Sequence, residues 1–189
     1  IAQRFSLPPS LDTQIVNAYE ESTYHLGESL ERGQRVVTPG SGYLAMTIGD
    51  ATTIYLAANT ELVLERLYED EMTINLTKGR ILVDAQAGVP LTVKTNYTRH
   101  VLYQDIATFV NYDFLETIHV IPLSGSVQVS VDSTDEQLLT PVPLSIHETE
   151  PVTFEKLEVN LESWDSRLPI RRTRRESVLS VRLICGHFF

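Results

Sequence analysis

The sequence predicts an all-β protein, with many short strands and hairpins in a sandwich or a solenoid-like stack. Apolar and polar residues alternate from Arg35 to Val131, and a period of two is typical of strands. The apolar runs recur every ~8–12 residues between Gly, Asp, Asn or Pro, as in all-β domains. No long segment of this region has the 3.6-residue period of a helix, so alternating strands and helices are not expected.

The strands are expected in chain order, with three zones of different character. The alternating runs occupy residues 42–48, 52–58, 61–67, 72–76, 80–85, 90–95, 100–110 (two short strands), 116–123 and 126–131. Residues 1–33 are expected to form a linker or a short helix capped by Ser10 or Asp12. Residues 34–160 are expected to form the β domain, whose last segments contain prolines and are predicted to be edge strands or extended chain.

Residues 161–189 are predicted to be a basic tail, in which disorder is expected as readily as order. Residues 1–166 carry 24 acids and 9 bases, whereas residues 167–189 carry 1 acid and 6 bases. The formal net charge of −10 argues against nucleic acid as a partner, because phosphates would be repelled. The single cysteine, Cys185, excludes an internal disulfide. No stretch is long enough to span a membrane, so any membrane anchor is expected upstream of Ile1.

Three glycines, Gly42, Gly79 and Gly125, precede alternating strands and are predicted to be structural turns. In "MTINLTKGRILV" and "HVIPLSGSVQV" the glycine joins two apolar runs, which indicates a hairpin with glycine at positive φ. The lysine of "TKGRIL" precedes its glycine and a strand follows, so the segment does not match a phosphate-binding loop.

The sequence contains no catalytic or metal-binding motif, so no catalytic residue, metal or cofactor is expected. No two of the five histidines have the close spacing common in metal sites, and no G-x-S-x-G nucleophile motif occurs. A metal-dependent enzyme on a jelly-roll-like fold would need distant ligands such as His100 or His119.

The order of the motifs resembles a FecR-type domain over roughly residues 33–131. The segment Asp50–Leu62 matches the first turn and strand of that family, and Leu76–Val83 matches the second element. Pro90–Thr95 and Val120–Val129 match the third and the last elements. The chain departs from the family pattern at Asp50-Ala51, where the family has Asp-Gly, and at residues 105–108, where the family has Gly-Thr.

The resemblance implies a non-enzymatic, extracytoplasmic β domain that acts as a sensor, regulatory or protein-interaction module of the cell envelope. Its partner is then expected to be an envelope protein, bound through an exposed sheet edge or through aromatic side chains. The candidate aromatics, for which ordinary packing is the alternative, are Tyr55, Tyr97, Tyr103, Tyr112 and Phe114. A carbohydrate- or cell-wall-binding module is the alternative function, although the single tryptophan, Trp164, lies outside the β region.

Overall fold

The described residues of the computed structural model form β-strands and no helix, which confirms the all-β class. They are residues 9–86, 89–103, 106–113, 115–132, 137–149 and 151–158, with the backbone of residues 170–172 and 181–183. The strands are β1 (Thr13–Ala18), β2 (Arg35–Val37), β3 (Leu44–Ile48), β4 (Thr52–Leu56), β5 (Glu61–Tyr68), β6 (Glu71–Ala85), β7 (Leu91–Lys94), β8 (Thr98–Leu102), β9 (Ile106–Tyr112), β10 (Thr117–Pro122), β11 (Val127–Val131), β12 (Gln137–Thr140), β13 (Leu144–His147), β14 (Thr153–Lys156), β15 (Ile170–Arg172) and β16 (Val181–Leu183).

Fourteen of these strands form one continuous sheet that folds back on itself. The first half-sheet has the order β2-β5-β6-β7-β8-β11-β12, and the second has the order β1-β3-β4-β6-β9-β10-β13-β14. The β6–β7 pair is parallel, and the other described pairs are antiparallel. Strand β6 belongs to both half-sheets and therefore joins them.

Strand β6 changes half-sheet at Gly79. Its first part pairs with β5 as far as Lys78, and its second part pairs with β9 from Gly79 onward. The predicted hairpin at Gly79 is therefore wrong, because residues 72–76 and 80–85 belong to one strand of 15 residues. Gly79 has a φ of 94° and bends this strand beside a register shift in the β5–β6 pair. A strongly bent strand can serve two sheets in this way.

The bend at Gly79 is packed against the corner between β4 and β5. A Cβ atom at Gly79 would collide with the Thr60 Cα and would lie 2.7 Å from the Asn59 carbonyl oxygen. The Arg80 backbone N–H donates to Thr60 Oγ1 at 2.9 Å, and the Thr60 N–H donates to Thr38 Oγ1 at 3.0 Å. The two corners are therefore held together by buried hydroxyl groups, and glycine is the residue that fits between them.

The other two predicted glycine turns also lie where the chain changes half-sheet. Gly125, with a φ of 69°, connects β10 in the second half-sheet to β11 in the first. These strands do not pair with each other, so the predicted hairpin at Gly125 is wrong as well. Gly42 ends a turn in which its N–H donates to the Pro39 carbonyl oxygen at 3.0 Å, between β2 and β3. The glycine-led strands thus follow corners of the folded sheet.

The N-terminal segment contains a strand in place of the linker or short helix expected there. Strand β1 pairs with β3, and Ile15 lies opposite Met46 in the core. The alternation of buried Thr13 and Ile15 with the more exposed Gln14 and Val16 suits a strand. Pairing with the sheet satisfies the backbone polar groups more completely than one isolated helical turn would.

The two half-sheets pack face to face over one apolar core. The first contributes Leu62, Ile74 and Val93, and the second contributes Ile54, Val83 and Val110, all fully buried. Burying each such side chain stabilises the fold by about 1.5–3 kcal/mol relative to leaving it in water. This packing fixes which faces of the half-sheets point outward and remain available for contacts.

Substitution of Gly79 tests the corner at which β6 changes half-sheet. We expect Gly79→Ala to lower the free energy of unfolding by roughly 2 kcal/mol or more, because it adds a collision with Thr60 to the strain of positive φ. Gly33→Ala is the matched control, since Gly33 also has positive φ (84°) but nothing lies within 4 Å of its Cβ position. Denaturant unfolding of both variants measures the difference, and equal losses would contradict the close contact at Gly79.

Candidate functional site

The structure does not gather the five candidate aromatic residues into one surface. Tyr97 and Tyr103 are 45% and 43% exposed and lie at opposite ends of β8. Tyr112 is 3% exposed and belongs to the core, whereas Tyr55 is partly buried on the outer face of the second half-sheet. Phe114 lies outside the described residues. Tyr97 and Tyr103 are thus the candidates with accessible rings.

Three of the four edge strands of the folded sheet are protected against pairing with another chain. The Ile15 N–H of β1 donates to the Glu28 carbonyl oxygen at 2.9 Å, so the neighbouring loop covers this edge. Strand β2 has three residues, and the Tyr24 hydroxyl accepts from the Val37 N–H at 3.3 Å. Strand β14 carries exposed Glu155 and Lys156. Short, covered or charged edges are the usual protection against unwanted strand pairing.

Strand β12, the fourth edge, pairs with β11 alone among the described residues and has an apolar, uncharged surface. Leu139 is 64% exposed, and Leu138 and Val142 are also exposed. Residues 137–143 and strand β11 contain no charged residue. An exposed edge with these properties can accept a strand from another protein, because the added strand pairs its backbone groups with the free edge.

A small patch on the outer face of the first half-sheet continues this edge inward. Val101, Gln128 and Leu139 lie side by side on β8, β11 and β12. The Tyr103 hydroxyl donates to Gln128 Oε1 at 2.5 Å, and Gln128 Nε2 donates to Gln137 Oε1 at 2.8 Å. These hydrogen bonds hold the exposed Tyr103 side chain against Gln128, which lies opposite Leu139. We name Tyr103, Val101, Gln128, Leu139 and strand β12 the β12 surface.

A buried polar network lies between the half-sheets near the other end of β8. Glu148, which follows β13 of the second half-sheet, is 1% exposed. Its Oε1 accepts hydrogen bonds from Thr95 Oγ1 at 2.5 Å, from Thr98 Oγ1 at 2.8 Å and from the Tyr97 N–H at 3.0 Å. Thr95 and Tyr97 lie in the turn between β7 and β8, and Thr98 is the first residue of β8, so all three donors belong to the first half-sheet. The carboxylate therefore ties the two half-sheets together.

The hydrogen bonds of this network favour one tautomer of His100. The Thr98 hydroxyl oxygen lies 2.8 Å from both Glu148 Oε1 and Thr95 Oγ1, and 3.0 Å from His100 Nε2. When its single hydrogen is donated to Glu148, its oxygen accepts from a protonated His100 Nε2. This tautomer leaves an acceptor and not a donor at the buried Nδ1, which has no hydrogen-bond partner among the described residues. Complete burial lowers the pKa of His100 to about 3.

Tyr112 approaches the same network from the second half-sheet. Burial and then the nearby Glu148 charge raise the pKa of Tyr112 above its ordinary value, so its hydroxyl stays protonated. A hydrogen bond to Glu148 also contributes to this shift, although Glu148 Oε2 has no hydrogen-bond partner of ordinary geometry among the described residues. The Tyr112 hydroxyl therefore lies close to the Glu148 carboxylate.

The structure does not unite the histidines that a metal-dependent enzyme would need. His100 points into the core, whereas His119 lies on the outer face of the second half-sheet. No group of three His, Cys, Asp or Glu side chains that could hold a metal occurs among the described residues. Two surface concavities that share Leu11 are lined without any histidine or cysteine. In the described part of the chain, no helix is long and apolar enough to cross a membrane.

Sequence reasoning missed Glu148, and of the β12 surface it found only Tyr103. Glu148 lies in "SIHETE", where a glutamate beside a strand end resembles a solvated residue, and no motif marks it. The β12 surface has a weak sequence signal, namely "QLLTPVP", in which two leucines follow a polar turn and precede two prolines. Proline restricts a segment to sheet edges, so exposed leucines beside it indicate an apolar edge.

The described residues therefore form an all-β domain in which the edge strand β12 is open to pairing with another chain. Residues 34–128 match the family described as FecR protein, and this match spans half of the chain. The chain belongs to the FecR family, and the resemblance seen in its sequence is confirmed.

Comparison with solved structures supports the same fold. Two crystal structures, at 2.50 and 1.65 Å resolution, show a candidate anti-sigma factor from Parabacteroides distasonis that is similar to this chain. Each has a TM-score of 0.57 and 18% sequence identity, and the alignment covers 74% of this chain and 68% of that chain. The comparison with curated proteins gives no match.

Substitution of Glu148 tests the tie between the half-sheets. We expect Glu148→Gln to lower the free energy of unfolding by roughly 2–4 kcal/mol, because three buried donors lose a charged acceptor. Glu20→Gln, at an exposed position, is the control and should change stability little. Denaturant unfolding of both variants makes the comparison, and an unchanged midpoint for Glu148→Gln would contradict the role of the network.

Burial of His100 predicts that acid destabilises the protein. The pKa of His100 is about 3 in the folded state, below its ordinary value of about 6.5 in the unfolded state. As the pH falls below about 6.5, protons therefore bind the unfolded chain preferentially, and stability falls by up to about 1.4 kcal/mol per pH unit.

His100→Gln isolates this contribution from the carboxylates, which titrate in both proteins. Unfolding free energies at pH 7.5 and pH 5.0 should differ less in the His100→Gln variant than in the unsubstituted protein. Equal pH dependence of the two proteins would show that His100 is not buried in its neutral form.

Proposed function

We propose that this chain is a non-enzymatic regulatory domain that recognises an envelope protein through the β12 surface. The observation that carries the proposal is that β12 is the edge strand left uncharged and uncovered among the described residues, with exposed Leu139 and Tyr103 beside it. Edges that no partner uses are normally protected, as the other three edges are here. A partner strand would add its backbone to β12 and place alternate side chains against Leu139.

Membership in the FecR family supports a regulatory or sensor role for this domain. The fold similarity to a candidate anti-sigma factor is consistent with a protein as the regulated partner. An extracytoplasmic location follows from the family resemblance and forms part of the proposal.

Binding of carbohydrate or cell wall is less well supported than binding of protein. A sugar-binding platform needs aromatic rings in one row, but the exposed Tyr97 and Tyr103 lie at opposite ends of β8. Six residue steps along the strand separate Tyr97 from Tyr103 by roughly 20 Å. The hydrogen-bonded Tyr103 and its leucine neighbour instead suit a peptide strand with mixed side chains.

A charge placed on the β12 surface tests the proposal. The domain is exported to the envelope of the source organism, and transcript levels are compared with those of cells that lack it. We expect a defined set of genes to change, and we expect Leu139→Lys to abolish the change, because a buried lysine in the interface would be costly. Leu26→Lys, at a position that is 77% exposed and remote from β12, should behave like the unsubstituted domain.

Folding of both lysine variants is checked by their thermal unfolding midpoints. A transcript response that Leu139→Lys leaves intact would contradict the β12 surface as the recognition site. An absence of any transcript response to the unsubstituted domain would contradict the regulatory role itself.

A further inference from the structure

The second half-sheet carries an apolar row on the face that points away from the core. Four neighbouring strands place their outward side chains in register along this row. They are Tyr55 on β4, Leu82 on β6, Phe109 on β9 and Ile121 on β10. We call this row the outer belt. By contrast, the outer face of the first half-sheet carries polar and charged groups, including the Lys94–Glu65 ion pair at 3.0 Å.

The side chains of the outer belt are buried, although the core and the first half-sheet lie on the other face of the second half-sheet. Leu82 and Phe109 are 0% exposed, and they form an apolar cluster separate from the core. The described residues that pack against this cluster from its margins are Tyr55 and Leu157, both partly buried. Full burial of large side chains on an outward face requires a covering layer. Tyr55 and Leu157 account for only part of that layer.

The chain itself arrives at the outer belt just before its C-terminal segment, residues 159–189. The Leu157 N–H donates to the Pro143 carbonyl oxygen at 3.0 Å, and the Leu157 side chain packs against the belt cluster. The belt crosses four strands, a width of about 15–20 Å. Roughly six extended residues span that width, so the segment is long enough to cover the belt.

The composition of the C-terminal segment suits this position. It ends in the apolar sequence "VRLICGHFF", and its residues 167–189 carry 6 bases and 1 acid. Residues 1–166 carry 24 acids and 9 bases, so the two parts attract each other. Strands β15 and β16 pair as a two-stranded hairpin. An isolated hairpin of this kind is marginally stable in water and needs an apolar surface to pack against.

We propose that the C-terminal segment, residues 159–189, docks on the outer belt and forms a third layer over the second half-sheet. The belt supplies the apolar surface that the β15–β16 hairpin needs, and the segment supplies the cover that the buried belt requires. The basic residues of the segment then lie beside acidic groups at the margins of the belt, such as Asp84 and Glu155. This intramolecular contact is distinct from the β12 surface on the other half-sheet.

Disulfide trapping in the full chain tests the docking, because Cys185 is its only native thiol. Cysteine is introduced singly at four outward positions around the belt, as Thr53→Cys, Asn111→Cys, His119→Cys or Glu155→Cys. The controls are Thr92→Cys and Gln128→Cys on the outer face of the first half-sheet. The rate at which Cys185 forms an intramolecular disulfide with the introduced cysteine is measured in a thiol–disulfide buffer. For at least one belt position we expect this rate to be at least about tenfold higher than for either control position.

Two outcomes of the trapping experiment would overturn the proposal. Equal rates at belt and control positions would show that the segment does not dock on the belt. Disulfides that join two chains, at a rate that rises with protein concentration, would show that the cover comes from a second copy.

The fluorescence of Trp164, the only tryptophan of the chain, gives an independent readout from the same segment. We expect Tyr55→Asp, which places a charge on the belt, to shift the Trp164 emission toward that of a solvent-exposed indole. Val101→Asp, on the outer face of the first half-sheet, should leave the emission unchanged. An unsubstituted protein whose Trp164 emission already equals that of the denatured chain would contradict the docking.

Discussion

The bend of β6 at Gly79 is the constraint on which the rest of the fold depends. One strand supplies the centre of both half-sheets, so the angle between them is set by the backbone of a single residue and its contact with Thr60. The core on the inside, the β12 surface on one outer face and the outer belt on the other follow from this geometry. A change at Gly79 would therefore alter the relation between two surfaces that lie far from it.

The buried network around Glu148 provides a second connection between the half-sheets, with a different physical character. Apolar packing tolerates small shifts, whereas Glu148 Oε1 requires three donors from the β7–β8 turn and the start of β8 at hydrogen-bond distance. The strand that follows this turn, β8, also contributes Val101 to the β12 surface. The network thus positions the proposed recognition surface relative to the second half-sheet, which is a useful property in a regulatory domain.

The sequence was sufficient for the fold class and the family but not for the connections between strands. Alternation located most strands, because a side chain that points inward must be apolar whatever its partner strand. Gly79 and Gly125 were found but wrongly assigned to hairpins, because a positive φ suits a hairpin turn and a sheet corner equally well. At Gly79 only the contact with the distant Thr60 distinguishes the two.

The outer belt had a sequence signature that alternation conceals. Strands buried on both faces contain continuous apolar runs, and residues 81–83 are such a run. Assigning only Ile81 and Val83 to the core leaves Leu82 unexplained. Glu148 could not be found in this way, because its partners come from a turn some 50 residues earlier in the chain.

The sharing of β6 between half-sheets also has a consequence for folding kinetics. The second part of β6 pairs on one side with β4, which precedes it in the chain, but its other side must wait for β9, which follows it. Non-local pairing of this kind slows folding, and a waiting apolar strand is prone to aggregate. Arg80 and Asp84 flank the run of Ile81, Leu82 and Val83. Charges at the ends of such a run oppose intermolecular stacking. These two residues therefore protect the second part of β6 from aggregation until β9 pairs with it.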